Sequence, residues 1–129
     1  MATAEVFMNS RFRMQCASFL AGQAISQTRT AIAHSISYPL TAHYNVPHGL
    51  ACSFTLPRIL ESHLESNPEP DHRSLLLRVG RMLESLDLGV RLAKYVDRSQ
   101  LDALKGDMLH KGRADNFTGQ IDLDHFVSL

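Results

Sequence analysis

With 129 residues, 44% of them hydrophobic and 20% charged, the chain suits one globular domain around one core. Thirteen Lys and Arg balance thirteen Asp and Glu, which leaves no electrostatic argument from composition for nucleic acid or an anionic membrane surface as a partner. No apolar run approaches the roughly 18 residues of a bilayer span, and Met1 to Ser10 lacks the basic start and long apolar stretch of a signal peptide, so a cytoplasmic protein is expected.

From about Ser10 to Gln27, Phe12, Cys16, Phe19, Leu20 and Ala24 recur at helical spacing among good helix formers. A second helical stretch starts near Thr28 and carries Ile32, Ser35 and Ile36 toward Tyr38. Pro39, without an amide donor, is expected to kink or end it. Thr41 to Asn45 then reads as a connector, and Pro47 suits the first turn of a third helix. That helix, roughly His48 to Ser62, is apolar nearly all round and belongs in the centre of a bundle, with a bend at Pro57.

Ser66-Asn67-Pro68-Glu69-Pro70 is the clearest loop. Asp71 is expected to cap a helix running to about Leu86, with Leu75, Leu76, Val79, Met82 and Leu83 as its apolar stripe and Gly89 near its end. Another helix spans about Arg98 to His110, Lys111 to Thr118 is loop, and Asp122 to Leu129 is a last short helix. Five or six helices with short links predict an all-α bundle. Such a domain has no Gly-rich strand-to-helix turn and therefore no dinucleotide cradle of its own. Cys16 and Cys52 fall in apolar helical patterns and are expected as buried free thiols, not as a disulfide.

Three of the seven histidines fall between His34 and His48. These two are fourteen residues apart, about 21 Å along one straight helix and too far for a shared metal. Pro39 and Pro47 break that path, so two helices can fold back and bring the imidazoles together. Imidazole suits zinc and iron alike. Alone, the spacing is weak: neither an HExxH pattern nor a Cys/His zinc pattern is present, and two histidines are fewer than a catalytic site uses. His43, in the connector, and His63, His72, His110 and His125, without paired spacing, read as surface residues. Cys52, four residues after His48, invites a thiolate-ligand idea.

The segment Ala31-Ile32-Ala33-His34, followed by Tyr44-Asn45-Val46-Pro47-His48-Gly49-Leu50-Ala51 and Leu56-Pro57, resembles the signature of the iron-containing, group III alcohol dehydrogenases. The resemblance is specific over about Phe19 to Leu60. It implies the helical C-terminal domain of the dehydroquinate synthase-like fold, and a divalent metal, Fe²⁺ first and Zn²⁺ second, held by one Asp and three His. By motif match the last two histidines fall on His34 and His48. The other two ligands, and the nucleotide-binding domain that would hold NAD(P)H, belong upstream of Met1. This stretch alone is therefore expected to be inactive. The family pattern gives Cys52 no ligand role.

The resemblance further implies reduction of a small aldehyde to its alcohol, with no nucleic-acid or membrane partner and with a homodimer in keeping with the family. Many members carry a histidine four residues after the first motif histidine, often discussed as a proton relay. Here that position is Tyr38. It shares a helix face with His34, but a hydroxyl with a reference pKa of about 10 is a poorer shuttle. Tyr38 is the candidate catalytic residue; packing in the core is its bland alternative. The stretch Thr28 to Thr41 looks most like the branch containing phosphonoacetaldehyde reductases, where Arg29 would face an anionic group or simply be solvated. Two alternatives stand beside this assignment. One is a non-catalytic helical module that associates with a partner chain. The other is a synthase-type metal lyase, against which the Pro-His-Gly surroundings argue.

Overall fold

A computed structural model describes residues 4–67 and 72–128, with side chains described from residue 8 onward. Its elements are α1 (Ala4–Thr28), α2 (Ile32–Tyr44), α3 (His48–Ser53), α4 (Leu56–Ser66), α5 (Arg73–Glu84), α6 (Leu88–Leu92), α7 (Arg98–Met108), a 3₁₀ turn (Ala114–Asn116) and α8 (Leu123–Phe126). No strand occurs among the described residues. The all-α class expected from the sequence is what the chain adopts, with more and shorter helices than the five or six read from periodicity.

The core is organised by α2. Ile32, Ile36 and Leu40 recur every four residues, form one stripe, and are essentially inaccessible. They join Val46, Ala51, Leu92, Val96, Leu101, Leu104, Met108, Phe126 and Val127 in one buried cluster. Each large aliphatic side chain so placed contributes about 1.5–3 kcal/mol by removal from water. Buried Ser35 sets the rotation of α2 about its axis. Its hydroxyl donates to the Met108 carbonyl at 2.6 Å and accepts the His110 N–H at 3.0 Å, tying α2 to the end of α7. The start of α7 is fixed by a capping box: the Asp97 carboxylate accepts the Gln100 N–H, and the Gln100 side chain accepts the Asp97 N–H.

Several expectations are corrected. Pro39 neither ends nor marks the last turn of α2, and Thr41 to Tyr44 are helical, not a connector. Burial of the Pro39 ring with the adjoining stripe outweighs the one lost backbone bond. The helix stops instead at Asn45, whose left-handed backbone (φ 53°) lets its N–H reach the Leu40 carbonyl. The single helix expected from His48 to Ser62 is two, separated at Phe54–Thr55. Pro57 sits in the first turn of α4, where a missing N–H costs nothing. Gly89 does not end α5 but lies inside α6, an element the periodicity did not reveal. The loop at Pro68–Pro70 and the Asp71 cap lie outside the described residues.

Two apolar stripes do not pack as periodicity implies. Along α5 only Leu83 is buried, while Leu75 and Met82 are exposed. Along α1, Phe12 is 65% exposed, Phe19 66% and Leu20 63%, and Cys16 is exposed rather than buried. Nothing among the described residues covers that surface. The end of α1 is nonetheless anchored: the Asn116 side-chain amide donates to the Thr28 and Thr30 carbonyls at 3.2 and 2.9 Å, clamping the linker into α2.

Candidate metal centre

His34 occupies the first turns of α2, and His48 opens α3 immediately after Pro47. The anchoring of α2 by Ser35 and the reversal at Asn45–Pro47 turn the two helices against each other. Their imidazole ring centres then lie 5.5 Å apart, against about 21 Å for the same separation on one straight helix. His34 is half-buried and His48 exposed, so the pair opens to solvent on one side.

A third donor stands with them. Cys52 lies one helical turn after His48 on α3, half-buried, with its Sγ 3.6 Å from His48 Nε2. One ligand atom from each of His34, His48 and Cys52 falls within 4.8 Å of the others. Burial pushes the Cys52 thiol above the usual range, with a weaker opposite pull from the Ser37 hydroxyl. The His34 imidazole is held below its ordinary value, first by burial and then by the charges of His48 and Arg113. Neutral imidazole is the form that binds a metal.

Tyr38 stands one turn beyond His34, its ring centre 6.3 Å from that of His48. At 36% exposure it lines the rim instead of packing in the core. The Arg113 guanidinium carbon stacks over the Tyr38 ring, 4.3 Å from its centre, a cation–π contact. Arg113 comes from the loop just before the 3₁₀ turn and had no signal in the sequence. Only folding brings it to α2. The guanidinium acting on His34 is therefore that of Arg113, while Arg29 is exposed in the α1–α2 linker with a left-handed backbone (φ 66°).

The remaining histidines stay apart from this group. His43, His72 and His110 are exposed, and His125 is half-buried, 3.4 Å from the Glu61 carboxylate. A groove of about 990 Å³ runs between α4, α5 and α6, but none of its lining residues is His34, Tyr38, His48 or Cys52. The chemistry-bearing residues and this groove are thus on different parts of the surface. No helix among the described residues is long and apolar enough to cross a membrane.

The C-terminal model of the Fe-containing alcohol dehydrogenase family matches residues 5–102. The phosphonoacetaldehyde reductase of Streptomyces viridochromogenes is 43% identical over 51 residues, 40% of this chain and 13% of its own. The 1,3-propanediol dehydrogenase of Klebsiella pneumoniae is 29% identical over 97 residues, 74% of this chain and 25% of its own. The methanol:N,N-dimethyl-4-nitrosoaniline oxidoreductase of Rhodococcus erythropolis is 30% identical over 122 residues, 93% of this chain and 27% of its own. The chain thus spans about a quarter or less of the length of these relatives. No solved structure matches it.

Proposed function

The chain belongs to the Fe-containing alcohol dehydrogenase family, as its C-terminal part, and from that premise we propose that it brings two metal-ligating histidines to an NAD(P)-linked reductase of small aldehydes. The observation that carries this is the convergence of His34 and His48 from two helices onto one solvent-facing spot. The donors fit a divalent ion: two imidazoles, one of them held toward its neutral form, with an open side for further ligands. Such an ion, when bound, would act as a Lewis acid toward developing oxyanion charge, and a nicotinamide would supply the hydride.

The chain's own residues would then divide the remaining work. His34 and His48 hold the ion, with His34 kept in place by the Ser35 tether one residue away. Tyr38, at the rim, offers its hydroxyl to the substrate oxygen. Replacing it, Tyr38→Phe, should keep bound metal and lower kcat about tenfold, the loss of one hydrogen bond to a charged group. Unchanged kcat in a stopped-flow assay would leave Tyr38 without a part in the chemistry.

Arg113 favours a small anionic aldehyde as substrate. Its guanidinium stands beside the histidines, where phosphonate or sulfonate oxygens pair well with it. Among the relatives are a phosphonoacetaldehyde reductase and a sulfoacetaldehyde reductase. The test is NAD(P)H oxidation by the native gene product against charged and neutral aldehydes, before and after chelation. We expect turnover that is lost with the metal and restored by Fe²⁺ or Zn²⁺. Turnover indifferent to chelation contradicts the proposal.

The exposed apolar side chains of α1 favour one second reading, a helical module that docks on another polypeptide surface without catalysing anything. Metal-dependent turnover by the native gene product would dismiss it.

A further inference from the structure

We propose that Asn116 is a positioning residue for Arg113, holding that guanidinium where the acidic end of a phosphonate- or sulfonate-bearing aldehyde would lie. The inference rests on the anionic-substrate reading of Arg113 and adds to it what keeps the arginine in place. Arg113 is exposed on a loop, and the ion pairs among the described residues do not include it. A long side chain so placed ordinarily samples many rotamers, and ordering it on binding costs affinity. Here its backbone is fixed from both sides. The Arg113 N–H donates to the His110 carbonyl at 3.2 Å, and the Arg113 carbonyl accepts the Asn116 N–H at 3.2 Å.

Both of those neighbours are tied in turn to α2 and the linker into it. His110 gives its N–H to the hydroxyl of buried Ser35, the residue after His34. The Asn116 side-chain amide donates to the Thr28 and Thr30 carbonyls. Arg113 therefore sits midway between two anchors in sequence. Gly112 lets the loop turn between them, with φ at 88° and its N–H donated to the Asp115 carboxylate at 2.9 Å. The Tyr38 ring then receives the guanidinium. A guanidinium over a ring face keeps N–H donors for an oxyanion, and one already held there has less freedom to lose. Of the two anchors, Asn116 is exposed and can be altered without opening the core, whereas Ser35 is fully buried beside His34.

The experiment measures kcat and KM of the metal-loaded native gene product with phosphonoacetaldehyde, sulfoacetaldehyde and uncharged propionaldehyde. The unaltered enzyme should prefer the two anions, and Arg113→Ala should lose that preference. Asn116→Ala and the near-isosteric Asn116→Asp, which has no N–H to donate, should act on KM and not on kcat. For both anions KM should rise about tenfold, the size set by two lost hydrogen bonds, while KM for propionaldehyde stays near its starting value. A part in folding alone would move all three substrates together. Asn67→Ala is the control: it removes a comparable amide-to-carbonyl bond at the end of α4 and should move none of them. Circular dichroism establishes that each variant is folded. An unaltered anion KM in the Asn116 variants, with the preference lost in Arg113→Ala, overturns the part of Asn116 and leaves Arg113 standing. Equal KM for charged and neutral aldehydes in the unaltered enzyme, or a preference that survives Arg113→Ala, overturns both.

Discussion

His48→Ala in the complete enzyme should lower kcat/KM by about 10³-fold or more, with loss of bound metal and little change in thermal midpoint. The kinetic size follows from what a Lewis acid contributes: several kcal/mol of oxyanion stabilisation, at tenfold per 1.36 kcal/mol. The small structural effect follows from position. His48 is exposed at the first residue of a six-residue helix and is not a member of the buried cluster. His34→Ala should behave alike in activity with a somewhat larger loss of stability, because that side chain is half-buried on the element that organises the core. Steady-state kinetics, metal analysis and differential scanning fluorimetry on the same preparations separate the two effects. Near-normal turnover with normal metal content in His48→Ala contradicts the ligand role.

Ile36→Ala should act in the opposite way, costing about 2–5 kcal/mol of folding stability, the range for a large aliphatic side chain removed from a packed interior. Ile36 is fully buried, midway along the stripe of α2, the helix that packs against both α3 and α7. The same stripe holds His34 against His48. A folded remnant should therefore bind metal less tightly although Ile36 offers no ligand atom. Urea denaturation gives the first quantity and cobalt titration the second. A cost below about 0.5 kcal/mol, the level of an ordinary surface substitution, contradicts the place assigned to α2 in the core.

How legible these features were depended on the distance over which their causes act. Ile32, Ile36 and Leu40 form a local pattern, and local pattern sufficed for the helical class and for the existence of α2 and α7. Helix ends read less well. Pro39 is a breaker by local rules, yet burial of its ring keeps α2 going to Tyr44. The short α6 packs against α3, far back along the chain, and the break at Phe54–Thr55 had no Gly or Pro at it to announce it. Phe12, Phe19 and Leu20 are spaced for a buried face that nothing among the described residues covers. At the site, His34 and His48 were picked out by the resemblance of their surroundings, not by spacing, which by itself left them about 21 Å apart on a straight helix. Cys52 had a local signal in its four-residue offset from His48 but no support in the family pattern. Arg113 had no signal at all, since stacking on Tyr38 is a tertiary contact between a loop and a helix.

The most direct test of a metal centre built on α2 and α3 is an anomalous difference map from crystals of the native gene product, collected at the absorption edge of the metal it carries. The expected result is a single strong peak about 2.0–2.1 Å from one ring nitrogen of His34 and one of His48. A strong peak elsewhere, with both imidazoles free, would contradict it.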